Sequence, residues 1–105
     1  MMGVKVLAEE IVTVGGEGGH AGIPFRAENG RKILITMLAD SYTMEPYGYL
    51  SPPEGEGTYT PENGRSVSGL NFPEVTLNQG GNYVLTVFDG SNWGGGVRVR
   101  IELLE

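Results

Sequence analysis

The stretch Val97-Arg98-Val99-Arg100-Ile101-Glu102-Leu103 alternates strictly between apolar and charged side chains. Because successive side chains of a strand point to opposite faces, this stretch predicts a strand with one face in the core and the other in water. Two denser apolar runs, residues 33–38 and 83–88, predict central strands that are covered on both faces. No stretch shows a sustained helical period of 3.6 residues, so the pattern as a whole predicts an all-β fold.

Shorter apolar stretches between turn residues complete the predicted strands. Residues 4–7 and 10–14 form either two strands or one strand with a bulge. Asn29-Gly30 predicts a tight hairpin between residues 23–27 and 31–38, because this pair adopts positive φ angles readily. Weaker strands are expected at residues 47–50, 58–60 and 73–77. The total is about eight strands, which predicts a single antiparallel β-sandwich of jelly-roll type over residues 1–105.

Composition excludes several classes of protein. The net charge of −6 opposes nucleic-acid binding, and the absence of cysteine excludes a disulfide scaffold and thiol catalysis. No apolar run approaches the roughly 20 residues of a membrane helix, so no membrane insertion is expected. The first residues lack a long apolar core, so no signal peptide is expected in this chain. The 18 glycines lie mostly between the predicted strands, where they supply turns.

The N-terminal β segment, residues 4–14, is followed by a glycine-rich hinge at residues 15–22. This segment either pairs within its own domain or adds to the sheet of a neighbouring molecule by strand exchange. The sequence leaves both arrangements open.

Several motifs recur in an order known from one family. Phe25-Arg26-Ala27-Glu28-Asn29-Gly30 precedes an apolar strand, Glu45-Pro46-Tyr47-Gly48-Tyr49 leads towards Pro53-Glu54-Gly55, and Gly81-Asn82-Tyr83 opens a second apolar strand. Over about residues 9–104 this order resembles the bacterial pre-peptidase C-terminal domain family. The resemblance implies a β-sandwich appended to exported proteins, located outside the cell or at its surface.

Catalytic residues are scarce. His20, the only histidine, lies in the glycine-rich hinge, where we expect an exposed loop residue rather than a rigidly held base. A lone histidine without cysteine also serves zinc poorly. We therefore expect no enzyme, and a small hydrolase is the weakest alternative.

Oxygen-bearing side chains gather in one turn, at Asp89, Ser91 and Asn92, and Asp40 joins them if the loops meet. Calcium prefers such carboxylate and carbonyl oxygens. The same residues are also ordinary turn chemistry, so no cofactor is expected unless calcium binds here.

Aromatic side chains supply the candidate contact surface. Trp93 is flanked by glycines on a loop, where it either contacts a partner or folds back to cap the sandwich. Tyr47 and Tyr49 share one face of a strand, and Tyr59 lies nearby in sequence. These residues form either an aromatic strip for a protein or polysaccharide, or part of the core.

These observations predict a non-catalytic structural or binding module that contacts a protein surface or a glycan. The alternative is a self-assembling subunit that binds copies of itself, either a virion decoration protein or an extracellular filament protomer built by N-terminal strand exchange.

Overall fold

The structure is a computed structural model that describes residues 5–15, 19–40, 44–59, 74–90 and 93–104. Eight strands follow one another along these residues. They are β1 (Lys5–Val14), β2 (His20–Ala27), β3 (Lys32–Ala39), β4 (Pro46–Ser51), β5 (Thr58–Tyr59), β6 (Glu74–Thr76), β7 (Gly81–Asp89) and β8 (Gly95–Leu104).

The strands form two four-stranded sheets, with the orders β1-β8-β3-β6 and β2-β7-β4-β5. Every pairing is antiparallel, and successive strands from β1 to β4 alternate between the sheets. This is the strand order of a jelly roll, so the predicted fold is confirmed. No helix within the described ranges is long and apolar enough to cross a membrane.

The core lies between the sheets and is built from alternate residues of the long strands. On β8, Val97, Val99 and Ile101 are buried while Arg98 and Arg100 are exposed, as the alternation predicts. β3 and β7 each add three buried side chains: Ile33, Ile35, Met37, Tyr83, Leu85 and Val87. Each such side chain stabilises the fold by about 2 kcal/mol when it leaves water.

The prediction that residues 33–38 and 83–88 are covered on both faces is wrong. Val84 on β7 is 39% exposed, and Phe88 is half-buried. On β3, Leu34 and Leu38 are also half-buried. A two-layer sandwich leaves each sheet one outer face, and a continuous apolar run does not reveal how many layers cover it.

The turn at Asn29-Gly30 forms, but the predicted hairpin is wrong. Gly30 has a φ of 83°, as the turn requires, yet β2 and β3 belong to different sheets. Leu77 stabilises this turn through two backbone hydrogen bonds of 2.8 Å. Its carbonyl accepts one from the Gly30 N–H, and its N–H donates the other to the Arg31 carbonyl. The turn therefore carries the chain across the sandwich.

The N-terminal segment is one strand with a bulge, because the register with β8 shifts between Val6 and Ala8. It pairs within its own chain. β2 already begins at His20, so the last three residues of the predicted hinge at residues 15–22 are strand. His20 is exposed as expected, but it lies on a strand and not in a loop.

The four sheet edges differ in how far they are open to another strand. β2 has eight residues and carries Pro24, which has no N–H to donate to a neighbouring strand. β5 and β6 border residues 60–73, which lie outside the described part of the chain. β1 has ten residues and no proline, and its register is regular from Ala8 to Val14. Of the two long edge strands that the structure describes, β1 is therefore the longer and the one without proline.

Candidate functional site

Three aromatic rings lie side by side on the outer face of the β2-β7-β4-β5 sheet. His20 of β2 pairs with Phe88 of β7, which pairs with Tyr47 of β4. Directly paired residues of an antiparallel sheet have their side chains on the same face. We call His20, Phe88 and Tyr47 the aromatic row.

The rings of the aromatic row are in contact. The Tyr47 and Phe88 centroids lie 5.2 Å apart with planes 17° from parallel, and those of His20 and Phe88 lie 5.8 Å apart at 38°. Two nearly parallel rings this close overlap in an offset stack, so each covers part of the other's face. The row therefore presents ring edges and the imidazole of His20 more than free ring faces.

The rest of this outer face is weakly polar. The register places Thr86 and Val84 of β7 beside Gly22 and Pro24 of β2. Among the described side chains that these strands present on this face, Arg26 alone carries a formal charge at neutral pH with His20 neutral. No other described element packs as a layer over the face.

Tyr49 shares the outer face with Tyr47, as predicted. Its hydroxyl accepts a hydrogen bond from the Gly57 N–H at 2.9 Å, and a Cβ at Gly57 would lie 2.7 Å from its ring. Tyr49 thus holds the loop between β4 and β5. The backbone of Tyr59 pairs with Tyr49, but the Tyr59 side chain lies outside the described part of the structure.

Asp89 holds the backbone on both sides of the aromatic row's end, next to Tyr47 and next to Trp93. Its side chain is buried, and its Oδ1 accepts a bond from the Glu45 N–H at 2.9 Å while Oδ2 accepts one from the Gly94 N–H at 2.7 Å. Glu45 leads directly into β4, and Gly94 follows Trp93. One buried carboxylate therefore fixes the approach to Tyr47 and the residue after Trp93.

Trp93 is 73% exposed, so the interpretation of Trp93 as a buried cap is wrong. It lies at the end of the sandwich where β7 leaves the aromatic row. The turn begins beside that row, because the Gly90 N–H donates to the Glu45 carbonyl at 2.9 Å and a Cβ at Gly90 would lie 3.6 Å from the Tyr47 ring.

The predicted calcium ligands have other roles where the structure describes them. Both Asp89 oxygens accept backbone bonds, and Asp40 Oδ2 accepts one from the Gly96 N–H at 3.1 Å. Ser91 and Asn92 lie outside the described residues. Within the described ranges, no group of three or more histidine or acidic side chains is placed to hold a metal ion.

Sequence reasoning missed His20 and Phe88 as members of the site. The sequence predicts a strand covered on both faces for Phe88 and a loop for His20. Their contact depends on the β2–β7 register, which joins residues 68 positions apart (20 and 88). Local alternation does not reveal which strands are neighbours.

No protein-family model matches the chain, and no curated protein matches it. Solved structures do. The pre-peptidase C-terminal domain of collagenase from Bacillus anthracis superposes with a TM-score of 0.64 at 18% sequence identity, covering 92% of this chain and 90% of that one. PliG of Aeromonas hydrophila, a periplasmic lysozyme inhibitor of g-type lysozyme, superposes with a TM-score of 0.60 at 13% identity, covering 98% and 86%. The chain therefore has the β-sandwich fold of the pre-peptidase C-terminal domain, as the order of its motifs indicated.

Proposed function

We propose that this chain is a non-catalytic module that binds a protein partner through the outer face of its β2-β7-β4-β5 sheet. One observation carries the proposal: this face joins the aromatic row to the exposed Val84 and is nearly free of charge. Aromatic side chains on such a face bury much area with little loss of conformational entropy when a partner covers them.

A protein suits the aromatic row better than a polysaccharide does. A sugar ring stacks on a free aromatic face, whereas Tyr47 and Phe88 already cover part of each other's faces. Ring edges, an imidazole and a tyrosine hydroxyl suit a protein surface with mixed apolar and polar groups. PliG, which has a similar fold, inhibits another protein, a g-type lysozyme, and this supports a protein partner here.

A role outside the cytoplasm is part of this proposal. It rests on the fold, which the chain shares with a periplasmic inhibitor and with a domain of a collagenase. A non-catalytic role is supported by the composition of the sequence, which has one histidine and no cysteine.

Self-assembly is the second candidate function. The edge of β1 favours it, because this edge is long and free of proline, and Ile11 on it is 71% exposed. A second copy that pairs along β1 would continue the sheet.

Photo-crosslinking from two matched positions tests the proposed function. Thr86 and Thr36 are both half-buried threonines on the outer faces of central strands, one in each sheet. A photoreactive residue at position 86 should give a protein adduct in the secreted or periplasmic fraction of the source cells. Excess unlabelled chain should suppress that adduct.

Two controls decide the outcome. A photoreactive residue at position 36 should give no adduct that excess unlabelled chain suppresses. A Phe88→Asp competitor should suppress the position-86 adduct at least tenfold less well than the unaltered chain does, because hot-spot truncations cost about 2 kcal/mol or more. An adduct from position 36 alone, or equal competition by Phe88→Asp, would exclude the aromatic face. An adduct only to a second copy would replace this proposal by self-assembly.

A further inference from the structure

A groove of about 500 Å³ opens at the end of the sandwich opposite to the aromatic row. It lies where β1 begins, where β2 ends and where the turn at residues 28–31 crosses between the sheets. Its size falls within the range of about 300–1,000 Å³ typical of small-molecule sites.

The floor of the groove is apolar. Leu7, Ala27 and Leu103 line it, and all three pack against the hydrophobic core. Leu7 is the residue that the β1 bulge leaves without a partner in the register. A bulge re-aims a side chain, and here it turns Leu7 towards the groove and the core.

The rim of the groove is cationic. Lys5, Arg26 and Arg31 line it together with one carboxylate, Glu28. Three of the seven lysines and arginines of a chain with net charge −6 therefore gather at one groove.

These cations are not neutralised from within the described part of the chain. None of the three forms an ion pair with a described carboxylate, Glu28 included. Arg26 donates to Asn82 Oδ1 at 3.4 Å, which orients the guanidinium without cancelling its charge. Unpaired cations above an apolar floor attract an anionic group and favour the burial of an attached apolar chain.

We propose that this groove binds a small amphiphile with one carboxylate and an apolar chain. The carboxylate accepts hydrogen bonds from Arg31 and Lys5 at the rim, and the chain lies on Leu7 and Leu103. The aromatic row lies at the other end of the sandwich, and Arg26 is the one rim residue that also belongs to the outer face of the β2-β7-β4-β5 sheet.

Octanoate, used below the concentration at which it forms micelles, is the probe. Titration of the ¹⁵N-labelled chain should shift the backbone amides of residues 7, 27, 81 and 103 together, with saturation. Acetate carries only the head group and 1-octanol carries only the chain, so each should bind at least tenfold more weakly than octanoate.

Charge variants assign the head group. Arg31→Gln should weaken octanoate binding about tenfold, as the loss of a charge-assisted hydrogen bond predicts. Arg98→Gln is the matched control, because Arg98 is an exposed cation on the outer face of β8 and does not line this groove. It should change the affinity less than twofold.

Leu7→Ala assigns the floor, since it should weaken octanoate binding and leave acetate binding unchanged. Amide spectra and melting curves of each variant establish that it is folded before its affinity is compared. The proposal is overturned if octanoate shifts amides around residues 86 and 88 instead, if it binds no better than acetate, or if folded Arg31→Gln binds it like the unaltered chain.

Discussion

The two outer faces of the sandwich are built from different chemistry on the same framework. On the β1-β8-β3-β6 sheet, Arg100 lies between Glu9 at 3.7 Å and Glu102 at 3.8 Å, and a third ion pair joins Lys32 to Glu74 at 3.3 Å. On the β2-β7-β4-β5 sheet the outer face holds the aromatic row and Val84. The ion pairs of the first face stay solvated beside exposed apolar side chains such as Ile11, whereas the aromatic row gains free energy when another surface covers it.

The largest expected difference is in the stability lost when Asp89 or Asp40 is replaced, because the two carboxylates bind backbone N–H groups beside different sheets. Asp89→Ala removes the buried carboxylate that accepts hydrogen bonds from two backbone N–H groups. We therefore expect a loss of about 3 kcal/mol in the free energy of unfolding. Asp40→Ala removes one bond from an exposed carboxylate and should cost about 1 kcal/mol or less. Urea denaturation of both variants measures this difference, and equal losses would show that Asp89 has no special positioning role.

The interaction energy between neighbouring side chains should also differ between the two faces. A double-mutant cycle on Tyr47 and Phe88 should give about 1 kcal/mol of coupling that does not change with salt. The same cycle on Glu9 and Arg100 should give about 0.5 kcal/mol, falling towards zero at high salt, because both side chains are about half exposed. An aromatic coupling that falls with salt would contradict this account of the face.

Trp93 is expected to contribute little to stability. Because its side chain is 73% exposed, Trp93→Ala should change the free energy of unfolding by about 0.5 kcal/mol or less. Thermal melting and an amide spectrum of the variant measure this. A loss of several kcal/mol would show that Trp93 caps the core after all.

The addition of calcium should have the smallest effect on the stability of the fold. The oxygens of Asp89 already accept backbone bonds, so we expect the same melting midpoint with calcium and with a chelator. A midpoint that rises with calcium concentration would establish a site at this turn.

Alternation in the sequence was sufficient to predict the fold but not the arrangement of its faces. The buried valines on β8 follow from side-chain spacing, which is a local property. The same spacing left two strands or one bulged strand open for β1, and the pairing with β8 decides for the bulge. The aromatic row depends on which strands are neighbours, and the Asn29-Gly30 turn looks the same whether it joins a hairpin or two sheets. The cationic groove likewise unites residues 5, 26 and 31, which only the crossing of the chain between the sheets brings together.

The edge position of β1 bears on stoichiometry. β1 lies at the edge of its sheet, so its outer side is open to a strand of a second copy. Two copies that meet through β1 would pair edge to edge about a twofold axis, and each would thereby use its long edge. Such growth ends at two molecules, so a polymer made from this chain would require a different contact from the one its most open strand provides.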